Sequence, residues 1–295
     1  MTTSAAMRVG VVIATKGRPQ LPALLVHELN RQTKPPDSII ISVSNPADAP
    51  SLSGQNVKVV NSAPGLTAQR NAGIEALGDS VDVVVFFDDD FFPSRYWIDN
   101  VCVLFASSPE IVCVTGRALV DGSKGAGLTW DEAGALVERA DRSPKDPPGV
   151  VKDDYPPCGC NMAFRHSAIG ELRFDERLVL YAWQEDTDFG ALVAKRGRNV
   201  FSDTLWGVHL GTKGGRTSGC RLGYSQMVNP RYLVAKGTMR PLRAVELAGR
   251  NLVANMARAM WPEPYIDRLG RLRGNLIGLA DIARGRWRPE RAAEL

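Results

Sequence analysis

Apolar positions along this chain follow two rhythms, one of unbroken runs and one of helical repeats. Arg8 to Ala14 is a nearly continuous β-branched run closed by Thr15-Lys16-Gly17-Arg18-Pro19, after which Leu21, Leu24, Leu25 and Leu29 recur at helical spacing. That is strand, loop, helix. Ser38 to Val43 reads as a second strand ending in Ser44-Asn45-Pro46, and Val57 to Val60 as a third. Pro64-Gly65 then punctuates the chain before a helix over Thr67 to Leu77, and Val81 to Phe87 forms an apolar run suited to a parallel strand buried on both faces. Strands alternating with helices over the first 115 residues predict a doubly wound α/β domain, whose ligands bind at the carboxyl ends of the strands.

Beyond residue 115 the pattern loosens. Residues 116 to 155, rich in Gly, Asp, Pro and Lys, read as an irregular excursion carrying a short helix near Asp131 to Arg139. Ordered structure resumes at Tyr155 to Phe164. A helix is predicted from Asp186 to Arg196, stopped by Gly197, with a strand over Asn199 to Ser202 and a Gly-rich loop from Leu210 to Gly223. Two amphipathic helices close the chain, one marked by Leu242, Val245, Leu252, Met256 and Met260, the other by Leu269, Leu272, Leu276 and Ala280.

Composition changes this picture only at the C-terminal end. At 295 residues, 44% hydrophobic and 23% charged, the sequence is that of an ordinary globular protein, and no stretch reaches the ~20 apolar residues of a membrane span. The net charge of +4 is unevenly spread. Residues 231 to 295 carry thirteen Lys and Arg against six Asp and Glu, so a slightly acidic body bears a basic tail suited to phosphates or anionic lipid headgroups. Nucleic-acid binding of the histone kind is not implied. Five cysteines without metal-finger spacing read as reduced thiols of a cytoplasmic protein, with Cys158-Gly159-Cys160 as a tight turn, and no signal-peptide pattern opens the chain.

The densest candidate chemistry is Asp88-Asp89-Asp90, an acidic triplet at the end of the Val81 to Phe87 run. Three adjacent carboxylates beside apolar neighbours need a compensating cation, and a divalent metal and an acidic cap on a helix starting at Pro93 both answer that need. Thr15 to Pro19 lacks the spacing of a dinucleotide or P-loop fingerprint. Arg70, in the first turns of its helix, reads by itself as a solvent-facing arginine. In Trp183-Gln184-Glu185-Asp186, Asp186 precedes Phe189 and Val193 by three and seven residues, which turns it inward and makes it a candidate general base. His209, with Lys213 and Arg216 in the Gly-rich loop after it, completes the set. Tyr181, Trp183 and Trp206 read first as buried aromatics at helix–strand junctions and second as flat platforms on which a ligand could stack.

Taken in order, these segments resemble the inverting family-2 glycosyltransferases of the GT-A fold over residues 7 to 235: Thr-x-x-Arg-Pro after the first strand, Arg70-Asn71-x-Gly73, the triplet, Gly159-x-Asn161, Glu185-Asp186 and the downstream His209. The resemblance implies an α/β domain with a mostly parallel sheet. Its nucleotide-binding half spans residues 7–115 and its acceptor-binding half 116–235, followed by a helical region over 236–295. It implies a metal, Mn²⁺ or Mg²⁺, on Asp88, Asp90 and His209, and a nucleoside-diphosphate sugar donor contacted by Thr15, Arg18, Asn45, Arg70, Asp89, Lys213 and Arg216. It further implies an acceptor, a glycan or lipid-linked sugar, near Gly159, Trp183 and Glu185, with Asp186 as the base. UDP is the expected donor nucleotide, although Ser44-Asn45 stands where many relatives carry an acid that binds uracil. Bacterial surface-polysaccharide synthesis on the cytoplasmic face of the membrane fits such an enzyme, with the basic helices on the bilayer, packed on the domain or in a homodimer. The alternatives are a sugar-1-phosphate nucleotidylyltransferase, whose Gly-rich first loop is missing here, and a non-catalytic nucleotide-sugar or lipid-surface binding protein.

Overall fold

The computed structural model describes residues 7–52, 54–143, 149–215, 217–261 and 263–295. The first half follows the predicted alternation: β1 (Val9–Thr15), α1 (Gln20–Asn30), β2 (Ser38–Val43), β3 (Val57–Asn61), α2 (Leu66–Leu77) and β4 (Val83–Asp88). Strands β1 to β4 are parallel, in the order β3-β2-β1-β4. Alternate residues of each strand enter opposite cores, which explains the continuous apolar runs. Val11, Ile13, Val83, Val85 and Phe87 pack with Leu25 and Leu29 of α1, whereas Val12, Val84 and Phe86 pack with Ile74 and Leu77 of α2.

The helix expected at Pro93 is not there. Phe91–Pro93 forms a short strand, β5, and the helix, α3 (Trp97–Ser107), begins four residues later. Strand β6 (Ile111–Asp121) runs into the stretch read as irregular, and the short helix expected there is α4 (Trp130–Asp141), opened by a capping box between Thr129 and Glu132. After these come β7 (Lys152–Asp153), β8 (Asn161–Arg165), α5 (His166–Ile169), α6 (Glu185–Val193) and β9 (Arg198–His209).

The sheet is mixed rather than mostly parallel. β8 lies antiparallel between β4 and β6, β9 runs parallel to β6, and β5 and β7 pair antiparallel with β9. This mixture shapes the edge where β4 ends. Because β8 runs the opposite way, the Cys158-Gly159-Cys160 turn that precedes it arrives beside Asp88, and because β9 runs the same way as β4, its last residue, His209, arrives there too.

The Gly-rich segment yields the largest departure: α7 (Gly219–Lys236) is an 18-residue helix, followed by α8 (Pro241–Ala259) and α9 (Arg268–Ala283). Its glycines serve a crossing. A Cβ on Gly223 of α7 would stand 2.0 Å from the Arg271 carbonyl of α9, and one on Gly274 of α9 as close to the Cys220 carbonyl of α7, so the two helices approach at a distance that a side chain would forbid. A buried amide network joins the three helices. Asn255 of α8 donates to Gln226 of α7 and to Asn275 of α9 at 3.0 and 2.9 Å, and Asn275 donates to the Gly223 carbonyl at 2.7 Å. Asn229 of α7 then donates to the Trp183 carbonyl at 2.8 Å, and Lys236 pairs with Asp188 of α6 at 2.6 Å, which fastens the helices to the α/β body.

Candidate functional site

The loops after β1, β2 and β4 meet at one sheet edge, since Thr15 lies in register with Val43 and Ala14 with Asp88. At that edge Asp88, Asp90 and His209 each offer a ligand atom, and all three atoms lie within 4.8 Å of one another. Two carboxylates and an imidazole form a set that could hold a divalent cation such as Mn²⁺ or Mg²⁺. Asp90 Oδ1 is 3.4 Å from His209 Nε2, and Asp90 Oδ2 accepts from the Thr212 N–H at 2.8 Å and its hydroxyl at 2.7 Å. Burial disfavours the Asp90 charge, yet His209, Arg18 and Thr212 together hold its carboxyl well below the usual range.

His209 is oriented from behind. Its Nδ1 lies 2.9 Å from Asp121 at the end of β6, directly across the β6–β9 register. A carboxylate on Nδ1 fixes the tautomer that leaves Nε2 toward the cluster. Burial alone would lower the His209 pKa, but Asp121 and Asp90 raise it to about 10, so without a competing cation the ring carries the charge that balances the carboxylates. Asp121 and Thr212 were not legible as site residues: each is an ordinary polar residue next to a turn, and only β pairing brings it here.

The middle carboxylate behaves differently. Asp89 is fully buried, accepts from the Thr15 hydroxyl at 2.6 Å and pairs with Arg18 at 2.6 Å. Burial pushes its carboxyl up to about 7 against the pull of Arg18. In this geometry Thr15, Arg18 and Asp89 bind one another, and Arg18 also reaches Asp90 at 3.2 Å and the Thr212 hydroxyl. The same loop backs onto the segment after β9: a Cβ on Gly215, at φ +71°, would meet the Lys16 carbonyl at 2.4 Å.

Arg70 is not solvent-facing. It is 2% exposed and donates to Asp88 at 3.3 Å, to the Gly159 carbonyl at 2.8 Å and to Glu185, while its guanidinium lies over Phe174 and Phe86. Burial pushes the Glu185 carboxyl up to about 8, against the attraction of Arg70. Next to this pair, half-buried Asp186 accepts from the Gly159 N–H at 2.9 Å and the Thr187 N–H at 2.7 Å. Burial raises its carboxyl above the ordinary aspartate value, and the two N–H bonds partly oppose that shift. Arg70 and Gly159 thus tie the carboxylate of Asp88 to that of Asp186 through direct hydrogen bonds.

Other predicted residues are placed less centrally. Asn45 is exposed after β2, its side chain capping the turn by accepting from the Ala47 N–H at 3.1 Å. Lys213 donates to the Gly122 and Ser123 carbonyls at 3.3 and 3.2 Å and lies 5.7 Å from the Tyr265 ring. Arg216 lies outside the described residues. Trp183 is half-buried and Tyr181 exposed, whereas Trp206 is buried and donates to Asp141 at 2.7 Å, which removes it as an acceptor platform.

No family model matches the sequence, and no curated protein matches it either. Among solved structures, the chain is similar to a mannosyltransferase, PcManGT from Pyrobaculum calidifontis in complex with GDP-Man and Mn²⁺, at a TM-score of 0.53 and 14% identity over 94% of this chain and 87% of that one. It is also similar to residues 1–349 of S. aureus TarS, at a TM-score of 0.48 and 11% identity over 95% and 92% of the two chains. The likeness to the mannosyltransferase shows a shared α/β fold with a curled mixed sheet.

Proposed function

We propose that this chain is a metal-dependent, inverting glycosyltransferase of the GT-A fold and family 2, moving a sugar from a nucleoside diphosphate to a hydroxyl of a glycan or glycolipid. One observation carries the reading: Asp88, Asp90 and His209 converge within 4.8 Å at the carboxyl edge of β4, tied through Arg70 and the Gly159 turn to the half-buried carboxylate of Asp186 on a separate helix. The mannosyltransferase of similar fold is itself described with a nucleotide sugar and Mn²⁺.

Asp88, Asp90 and His209 would hold Mn²⁺ or Mg²⁺, whose charge, when bound, offsets the negative charge building on the departing diphosphate. Asp121 keeps His209 Nε2 toward that position, and Thr212 and Arg18 keep Asp90 ionised. The donor lies along the loop after β1 and the segment carrying Lys213 and Arg216. Thr15, Arg18 and Asp89 form its floor, and Arg70 balances Asp88 and Glu185 beside it. Asp186 takes the proton of the acceptor hydroxyl as its oxygen attacks the anomeric carbon opposite the leaving group, which inverts that centre. Gly159 aims the Asp186 carboxylate, while Glu185, Trp183 and Tyr181 border the acceptor.

The test is release of nucleoside diphosphate from a panel of UDP-, GDP- and dTDP-sugars with Mn²⁺. Turnover is expected for at least one donor and should be lost in Asp90→Ala, while Asp186→Asn still binds donor but loses transfer. Donor binding without turnover across the panel would make the chain a binding protein. Pyrophosphate release from a sugar 1-phosphate and a nucleoside triphosphate would make it a nucleotidylyltransferase.

A further inference from the structure

Helix α8 packs on its neighbours through a narrow face in which Ala244 and Asn255 are the buried residues. The opposite face is apolar and exposed. Leu242, Val245, Val253, Met256 and Met260 follow the helical repeat along one stripe, and Leu242 is 86% exposed. The stripe continues around the turn into α9 through Trp261 (73% exposed) and Tyr265, then through Leu269 and Leu276. So many large apolar side chains on one exposed hairpin mark an interaction surface, not the scatter expected of a folded exterior.

Cationic side chains border it. Arg243 and Arg250 stand beside the α8 stripe and share one carboxylate, Glu246, at 2.8 and 3.3 Å; Arg273 stands between Leu269 and Leu276, and Arg284 and Arg286 are exposed just past α9. A second copy of the chain would bring these arginines against their own kind, whereas an anionic bilayer accepts both the apolar stripe and its charged border. No described helix is long and apolar enough to cross a membrane, so the hairpin lies on the surface.

We infer that the α8–α9 hairpin docks this protein on an anionic lipid bilayer, its apolar stripe in the headgroup region and its arginines among lipid phosphates. The turn of the hairpin places Tyr265 5.7 Å from Lys213, next to Thr212, which binds Asp90. Docking therefore brings the candidate site close to the bilayer. On the glycosyltransferase reading, this selects an acceptor whose hydroxyl is presented at that surface by a lipid-linked molecule.

Co-sedimentation of the full chain with vesicles tests the docking without any donor or acceptor. The chain should pellet with 30% phosphatidylglycerol vesicles and bind pure phosphatidylcholine at least tenfold more weakly, with binding falling as salt is raised. Val253→Glu/Met256→Glu should lower partition at least tenfold. Both positions are exposed, so melting temperature and any donor hydrolysis should stay unchanged. A wild-type chain left in the supernatant with both vesicle types, or a double variant that binds as wild type does, would overturn the inference. So would a wild-type dimer that ignores vesicles and dissociates in the double variant, which would give the surface to a second copy. Because pelleting needs no turnover, failure of docking is separable from failure of the transferase reading.

Discussion

Asp186 and His209 show how far single side chains here depend on backbone placed by distant pairing. The Asp186 carboxylate is raised chiefly by burial, and the Gly159 and Thr187 N–H groups restrain the shift. A base works only when deprotonated, so activity should fall as pH drops through this raised value, and the acid limb of kcat/KM should sit above the ~4 of an ordinary aspartate. A pH profile with its acid limb at or below ~4 would remove Asp186 from that role. Asp121 acts one step back, through His209. Replacing it with Asn leaves Asp88, Asp90 and His209 in place but loosens the imidazole, so Mn²⁺ affinity measured by calorimetry should weaken about 10- to 100-fold, with the fold unchanged. The triplet was legible as a charge problem that a metal and a helix cap answered equally well, and the family resemblance chose the metal. The cap fails because Phe91–Pro93 is a strand, and the burial of Asp89 against Thr15 and Arg18 shows only once the chain is folded.

At the scale of elements, the strands and helices of the first ninety residues were readable because burial on both sheet faces leaves unbroken apolar runs. The later elements hide because their signals are not local. Gly219, Gly223 and Pro230 break helices in isolation, yet here they lie within α7, where the helix crosses α9 at glycine distance. Arg70 looked like a surface residue because nothing near it in sequence reveals that α2 meets α6 and the turn before β8. Those contacts make it a strut between elements: it joins α2 to Asp88 on β4, to Gly159 and to Glu185 on α6. Arg70→Met should therefore leave the Asp88, Gly159 and Glu185 oxygens without their shared donor and cost about 1–3 kcal/mol, visible as a lowered urea midpoint. A variant with a wild-type midpoint would show that Glu185 is accommodated without the pair.

For the whole molecule, what the sequence could not specify was the direction of β8. Its antiparallel pairing joins residues some eighty positions apart with β4 and some fifty apart with β6, and it brings the Gly159 turn to the edge where β4, β6 and β9 end. Candidate-site residues spread from Thr15 to Thr212 then gather at one sheet edge, with the α7–α9 helices fastened to the α/β body. The amphipathic pattern of α8 and α9 was legible. That its apolar stripe faces outward was not, because periodicity fixes a face and not its partner.

The central claim is that a metal and a nucleoside diphosphate bind together at Asp88, Asp90 and His209, and thermal denaturation with UDP, GDP and dTDP, with and without Mn²⁺, tests it most directly. A ligand that binds only the folded chain raises its melting temperature. One of the diphosphates should raise it by a few degrees only when Mn²⁺ is present, and Asp90→Ala should abolish the rise. An equal rise without metal, an undiminished rise in Asp90→Ala, or no rise with any of the three would contradict the account.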